Sequence, residues 1–242
     1  MLAIETVNLC KKYNKTVAVS NLNLKIEEGE IFTLLGLNGA GKTTSIKMLC
    51  CLALPTSGDA LVGGYSIVHQ ENKVKSIIGV SPQETAIAPN LSVFENLELM
   101  CMIHGFDRVK CKKRINDISD VFCLDEVLRK KAGLLSGGWQ RKVSIAMAMI
   151  CEPKILFLDE PTLGLDIISR NELWKLIKSL RGRVTVILTT HYMEEACALS
   201  DRIGIMNKGE LIALGTANEL MKITDTHSFD DAFISIVGGV DK

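Results

Sequence analysis

Apolar residues recur along this chain with two different periods, and the switches between those periods outline its elements. Residues 3–9 and 17–26 alternate apolar with polar, as strands with one buried face do. Residues 31–35 (Ile-Phe-Thr-Leu-Leu), 155–158 (Ile-Leu-Phe-Leu) and 184–190 are near-continuous apolar runs of strand length, the mark of strands covered on both faces. Between them the spacing turns helical: residues 44–52 continue a helix that Pro55-Thr56-Ser57-Gly58-Asp59 should end in a turn. Ser92 with Glu95 three residues later predicts a capped helix start, and the pattern stays mostly helical to about residue 150. Residues 204–210 read as strand-turn-strand, and 228–234 as an amphipathic closing helix. Buried strands alternating with helices predict an α/β fold with a mostly parallel sheet. The first two segments add a small antiparallel layer.

Composition narrows the class. At 242 residues and 47% hydrophobic the chain can bury a full core. Lys+Arg and Asp+Glu are both 28, with no aromatic-spaced basic patch, so nucleic acid is not an expected partner. The basic cluster at 110–114 reads as a solvated helix face. No apolar stretch approaches the ~18 residues of a membrane helix. The start, Met1-Leu2-Ala3-Ile4-Glu5, lacks the features of a signal peptide, which makes the cytoplasm the expected compartment. None of the eight cysteines falls in a C-x-x-C spacing, so they read as small buried hydrophobes.

Candidate chemistry begins where the strand 31–35 runs into Gly36-Leu37-Asn38-Gly39-Ala40-Gly41-Lys42-Thr43, followed by Thr44 and a helix. This fits G-x-x-x-x-G-K-[ST] in the strand-loop-helix context that makes it meaningful. The glycines let successive backbone N–H groups converge on phosphate oxygens, and the helix start adds its positive end. Lys42 would reach the β and γ phosphates, and Thr43 would offer its hydroxyl to Mg²⁺. A second site is the end of the run at 155–158, where Asp159 and Glu160 follow. Asp159 is placed for Mg²⁺ and Glu160 for polarising a water at the γ phosphate. Ser136-Gly137-Gly138, ahead of the buried helix 143–150, is open to two readings: backbone amides that bind an anion, or a capped turn without a ligand.

Together with Leu135-Ser136-Gly137-Gly138, Gly164-Leu165-Asp166 and Thr190-His191, these motifs stand in an order that resembles the ATP-binding subunits of ABC transporters over nearly the whole chain. The ending is similar to ABC-2 exporters of the drug-resistance and sodium type. The resemblance implies a P-loop core at residues 1–84 and 152–220, an inserted helical subdomain at 85–151 and a tail at 221–242. It implies that Tyr13 stacks on adenine, that Gln83 touches the metal and water region, and that His191 assists Glu160. It also implies that Ser136 to Gly138 face the γ phosphate held by a second copy or a homologous subunit. The cofactors implied are ATP and Mg²⁺, and the partner a separate permease whose coupling helix meets the surface after Gln83. The chain itself would be peripheral on the cytoplasmic face, touching the membrane only through that partner. Non-transport ATPases of this type, from translation or DNA repair, are the alternative. Trp139 departs from the usual glutamine; it could pack on its own subdomain or against the opposite ribose.

Overall fold

The alternating segments form a hairpin: β1 (Leu2–Tyr13) and β2 (Thr16–Glu27) pair antiparallel, with Asn14 at φ 51° in the turn. Period two puts Leu22, Leu24 and Ile26 on the buried face with Ile4 opposite them, and the register shift between Thr6 and Leu9 brings Leu9 to that face as well. The structure, a computed structural model, describes residues 1–239. β3 (Ile31–Leu35) is buried at every position, and the glycine loop leads from it into α1 (Lys42–Leu49). That helix is shorter than the expected 44–52, because Cys51 takes φ 56° and turns the chain left-handed.

Residues 57–59, expected as a turn, instead open β4 (Ser57–Val62), which with β5 (Tyr65–Ser66) extends the hairpin into a sheet of order β2-β1-β4-β5. Gly58 reconciles the two readings: its φ of +76° sits against the register shift between Val7 and Cys10, so the turn chemistry is absorbed in a bulge. α2 (Glu71–Lys75) and β6 (Ile78–Ser81) follow. The helical stretch resolves into α3 (Val93–Ile103), α4 (Arg108–Phe122) and α5 (Gly137–Met149). The capping box at Ser92 and Glu95 is present in both directions.

The remaining elements are β7 (Ile155–Asp159), α6 (Ile167–Ser179), β8 (Thr185–Thr190), α7 (Met193–Leu199), β9 (Arg202–Asn207), β10 (Glu210–Gly215), α8 (Ala217–Thr224) and α9 (Phe229–Gly239). The main sheet has the order β10-β9-β3-β8-β7-β6, parallel except for β10. Its topology decides where the candidate motifs lie. β6 and β7 are parallel neighbours, so the chain between them is a crossover, and α5, packed on both strands, is its returning helix. A returning helix starts at the carboxyl ends of the strands. Ser136 to Gly138 therefore lie at the same end of the sheet as the glycine loop and Glu160.

Hydrophobic clusters cover both faces. One joins α3, α4, α5 and α6 to Leu156, Leu158, Val186 and Leu188 of the sheet. Another fills the space between the antiparallel sheet, α1 and the opposite sheet face, with Phe32 and Phe157 fully buried. Each such phenylalanine contributes about 1.5–3 kcal/mol. The third seats Phe229 and Phe233 of α9 against α7 and β10. The expected tail at 221–242 thus comprises the last turn of α8 and the docked α9 as far as Gly239, and residues 240–242 lie outside the described residues.

Candidate functional site

Strand ends create the site. β3, β7 and β8 are adjacent to one another through β8, and each hands the chain to a polar segment at its carboxyl end: the glycine loop, Asp159-Glu160, and Thr190-His191. A cavity of about 590 Å³ opens there, lined by residues 38–44 with Gln83, Glu160, Leu163, His191 and the strand start 16–18.

The loop is held open by its glycines. Gly41 has φ +103°, and a Cβ on it would stand 2.5 Å from the Ala18 carbonyl oxygen; one on Gly36 would collide with the Met206 carbonyl. α1 begins at Gly41 with no side-chain cap, so its first amides are available to an anion. The Lys42 ammonium is folded into the loop, donating to the carbonyls of Gly36 at 2.7 Å and Leu37 at 3.2 Å, and it lies 3.5 Å from Glu160 Oε1. This cation and the uncapped helix start fit a polyphosphate. Thr43 Oγ1 donates to Asp159 Oδ1 at 3.1 Å, so a hydroxyl and a carboxylate, both hard oxygen donors, meet beside the loop.

Glu160 is the most constrained residue of the set. Its φ of +48° is left-handed, which for a glutamate costs about 1–3 kcal/mol and persists only where the surroundings fix it. They do so at each polar atom. Its N–H donates to the Thr189 carbonyl and hydroxyl, both at 3.1 Å, and its Oε2 is 2.9 Å from His191 Nδ1, which donates in the matching tautomer. Its carbonyl accepts from Arg141 Nη2 at 3.0 Å. Thr189 also donates to Asp159 Oδ1 at 2.5 Å, so one hydroxyl bridges the two acidic residues.

Several contributors escape sequence reading. Thr189, Arg141 and the 16–18 segment belong to no motif. Glu195 is a further case: fully buried, it accepts from Thr162 Oγ1 at 2.8 Å and Trp174 Nε1 at 3.1 Å. Burial pushes its carboxyl above the ordinary range, against the hydrogen bonds from Thr190, Thr162 and Trp174 and with a further push from Glu160. Burial likewise pulls Arg141 down, while Asp159, Glu195 and Glu160 oppose that shift.

The structure brings Asn38, Gly39, Ala40, Gly41, Lys42, Thr43, Thr44, Gln83, Glu160 and His191 to one cavity, with Asp159 bonded to Thr43 beneath it. Gly36 and Leu37 contribute carbonyls to Lys42 from outside the lining. Tyr13 ends β1, 46% exposed, under the Lys11 ammonium at 4.9 Å, and it is not a lining residue. Ser136, Gly137 and Gly138 also lie outside the lining, beside α6: a Cβ on Gly138 would press on Ser169. Trp139 packs on the helical core with Lys142 over its ring at 4.3 Å. Among the described residues no cluster of His, Cys, Asp and Glu is arranged to hold a metal by itself.

Known proteins resemble this chain in sequence and in fold. The ABC transporter family matches residues 19–163. The chain is 40% identical to the linearmycin resistance ATP-binding protein LnrL of Bacillus subtilis over 90% of its own length and 70% of that protein. It is 42% identical to the human phospholipid-transporting ATPase ABCA3 over 83% of its length, spanning 12% of that much longer protein. Among solved structures, the dimeric post-hydrolysis state of the ATP-binding cassette MJ0796 bound to ADP and Pi superposes with a TM-score of 0.79 at 28% identity, over 88% of this chain and 98% of that one. On the extent of these matches, the chain belongs to the ABC transporter family.

Proposed function

We propose that the chain is the ATP-binding and ATP-hydrolysing subunit that drives a separate transmembrane permease, in the export direction. The observation that carries this reading is the single cavity uniting residues 38–44 with Gln83, Glu160 and His191, in a chain with no described helix long and apolar enough to cross a membrane. Such a subunit sits on the cytoplasmic face, held there by the permease. The likeness to a drug-resistance ATP-binding protein supports export.

The side chains suggest how hydrolysis proceeds. The uncapped amides of α1 and the backbone of residues 36–44 receive the phosphates, and Lys42 exchanges its loop carbonyls for β and γ oxygens. Tyr13 stacks on the adenine at the outer rim, near the 16–18 segment. Bound magnesium supplies positive charge to the transferring phosphoryl group, and Thr43, Asp159 and Gln83 would hold it, directly or through water. Glu160 takes the proton of the attacking water, while His191 fixes the carboxylate through its other oxygen.

Ser136, Gly137 and Gly138 stand over β6 and β7, whereas the loop follows β3, with β8 between β3 and β7. At about 4.8 Å per strand the separation is roughly 10–15 Å, too far to share one phosphate within a chain. A second copy or a homologous subunit, turned head to tail, brings its own 136–138 segment onto that phosphate.

Glu160→Gln keeps the shape of the site and removes the base. The variant is expected to bind ATP normally, to lose turnover by about 100-fold or more, and to accumulate as a dimer in ATP. Turnover within two-fold of wild type would remove Glu160 from the mechanism. Co-purification with an integral membrane protein checks the transport reading, and stable association with ribosomes or DNA would overturn it.

A further inference from the structure

Four polar atoms of Glu160 are held in place, and their partners divide by origin. Thr189, Lys42 and His191 come from β8, the glycine loop and the turn after β8, all within the nucleotide core. The side-chain partner of the carbonyl comes from elsewhere. Arg141 lies on α5, five residues beyond Ser136, and its guanidinium is threaded inward until the residue is only 4% exposed. There Nη1 donates to the Pro82 carbonyl at 2.5 Å, and Nη2 donates to the carbonyls of Gln83 at 2.8 Å and Glu160 at 3.0 Å. A planar fork is the donor geometry that can join three carbonyls from two chain segments at once. The charge is also suited to its place, facing the carboxylates of Asp159, Glu160 and Glu195. The Glu160 carbonyl also accepts from the Leu163 N–H at 3.2 Å within its own turn, so among the described hydrogen bonds Arg141 is the one donor that ties it to another element.

We propose that Arg141 is a positioning residue for hydrolysis: its guanidinium locks the left-handed backbone of Glu160 and the 82–83 turn to the helix that begins at Ser136, so that the helix start and the general base move as one body. The inference rests on the reading of Glu160 as the base. Arg141 touches no reacting atom; it acts through the backbone of the residue that does. A helix start displaced by a neighbouring subunit would then displace Glu160 directly, without passing through the glycine loop.

The test is Arg141→Met, which keeps the length of the stem and removes every donor, in the full chain. Turnover is counted per molecule able to bind a fluorescent ATP analogue, so that any unfolded fraction drops out. The expected result is a fall in kcat of about 10- to 100-fold, as misplacement of a catalytic group by about 1 Å gives, with KM and analogue affinity within about three-fold of wild type. Arg141→Lys, with a single ammonium in place of the fork, should give an intermediate kcat at unchanged KM. It carries the test alone if the methionine variant does not fold. A kcat within two-fold of wild type in either folded variant would overturn the proposal, and so would a loss that appears in KM and affinity instead. Glu160→Gln in the same assay separates the two readings: if it is inactive while Arg141→Met is fully active, only the role of Arg141 fails. If Glu160→Gln hydrolyses normally, the reading of Glu160 fails and the role of Arg141 falls with it.

Discussion

Buried ionisable side chains around the cavity differ in how they are satisfied, and those differences have measurable consequences. Lys42 and Glu160 are an ion pair at 3.5 Å with side chains 6% and 8% exposed, and Lys42 is also the one cation in the glycine loop. Lys42→Met removes a charged donor worth about 1.5–3 kcal/mol to a phosphate, so ATP affinity measured by titration calorimetry should fall roughly 10- to 100-fold. Unchanged affinity would mean that the ammonium stays with Glu160 and the loop carbonyls when nucleotide binds. Glu195 makes the opposite case, a carboxyl that folding drives toward its neutral form. Its folded value lies above the ordinary 4.5, so the folded state binds the proton more tightly than the unfolded chain. That contribution to stability is whole below the unfolded value and is lost as pH rises through the raised folded one. Glu195→Gln still accepts from Thr162 and Trp174 but does not titrate. The melting temperature of wild type should therefore drop between pH 5 and pH 8 by more than that of the variant, by about 2–4 °C for each kcal/mol involved. Equal drops in the two proteins would show that the charge is accommodated. The glycine loop, Asp159 and Glu160 were legible in the sequence because each sits in a short local pattern, and His191 through its place in the order of motifs. Arg141, Thr189 and Glu195 were not, since their partners lie 19 to 59 residues away and only the folded chain brings them together.

Elements were legible to the extent that their own residues dictate them. The start of α3 is set by Ser92 and Glu95, which exchange backbone and side-chain hydrogen bonds, and the sequence shows both. Ser92→Ala should cost about 1 kcal/mol, seen as a melting temperature ~2–4 °C lower, with ATP turnover unchanged. A change in turnover would tie this helix start to the chemistry. β4 was not legible, because Ser57, Gly58 and Asp59 are turn residues by propensity and become strand only through pairing with β1 across a bulge. The loop between β3 and α1 is the strictest element. Gly41→Ala places a Cβ against the Ala18 carbonyl at a left-handed backbone, so nucleotide binding should be lost even where circular dichroism reports an intact fold. An alanine variant with normal binding would show that the hairpin can move away from the loop.

At the scale of the whole molecule, exposed apolar residues gather where the proposed head-to-tail partner would lie. Leu134 is 83% exposed just ahead of Ser136, Ile167 and Ile168 are 67% and 74% exposed at the start of α6, and Gly137 and Gly138 lie against Leu165 and Ser169 between them. Ile168→Glu in the Glu160→Gln background should abolish the ATP-dependent dimer in light scattering while leaving the monomer folded. A dimer of unchanged yield would place the interface elsewhere. The parallel sheet order carries another consequence, this one for synthesis on the ribosome. Among the described residues β3 pairs only with β8 and β9, which come from Thr185–Thr190 and Arg202–Asn207. A nascent chain that has emerged as far as Arg183 already contains the entire glycine loop, yet the strand that presents it has no neighbour on either side. The nucleotide cradle must therefore be among the last parts to set as the chain emerges, and a message cut short before β8 would yield a polypeptide with a complete phosphate motif and no seat for phosphate.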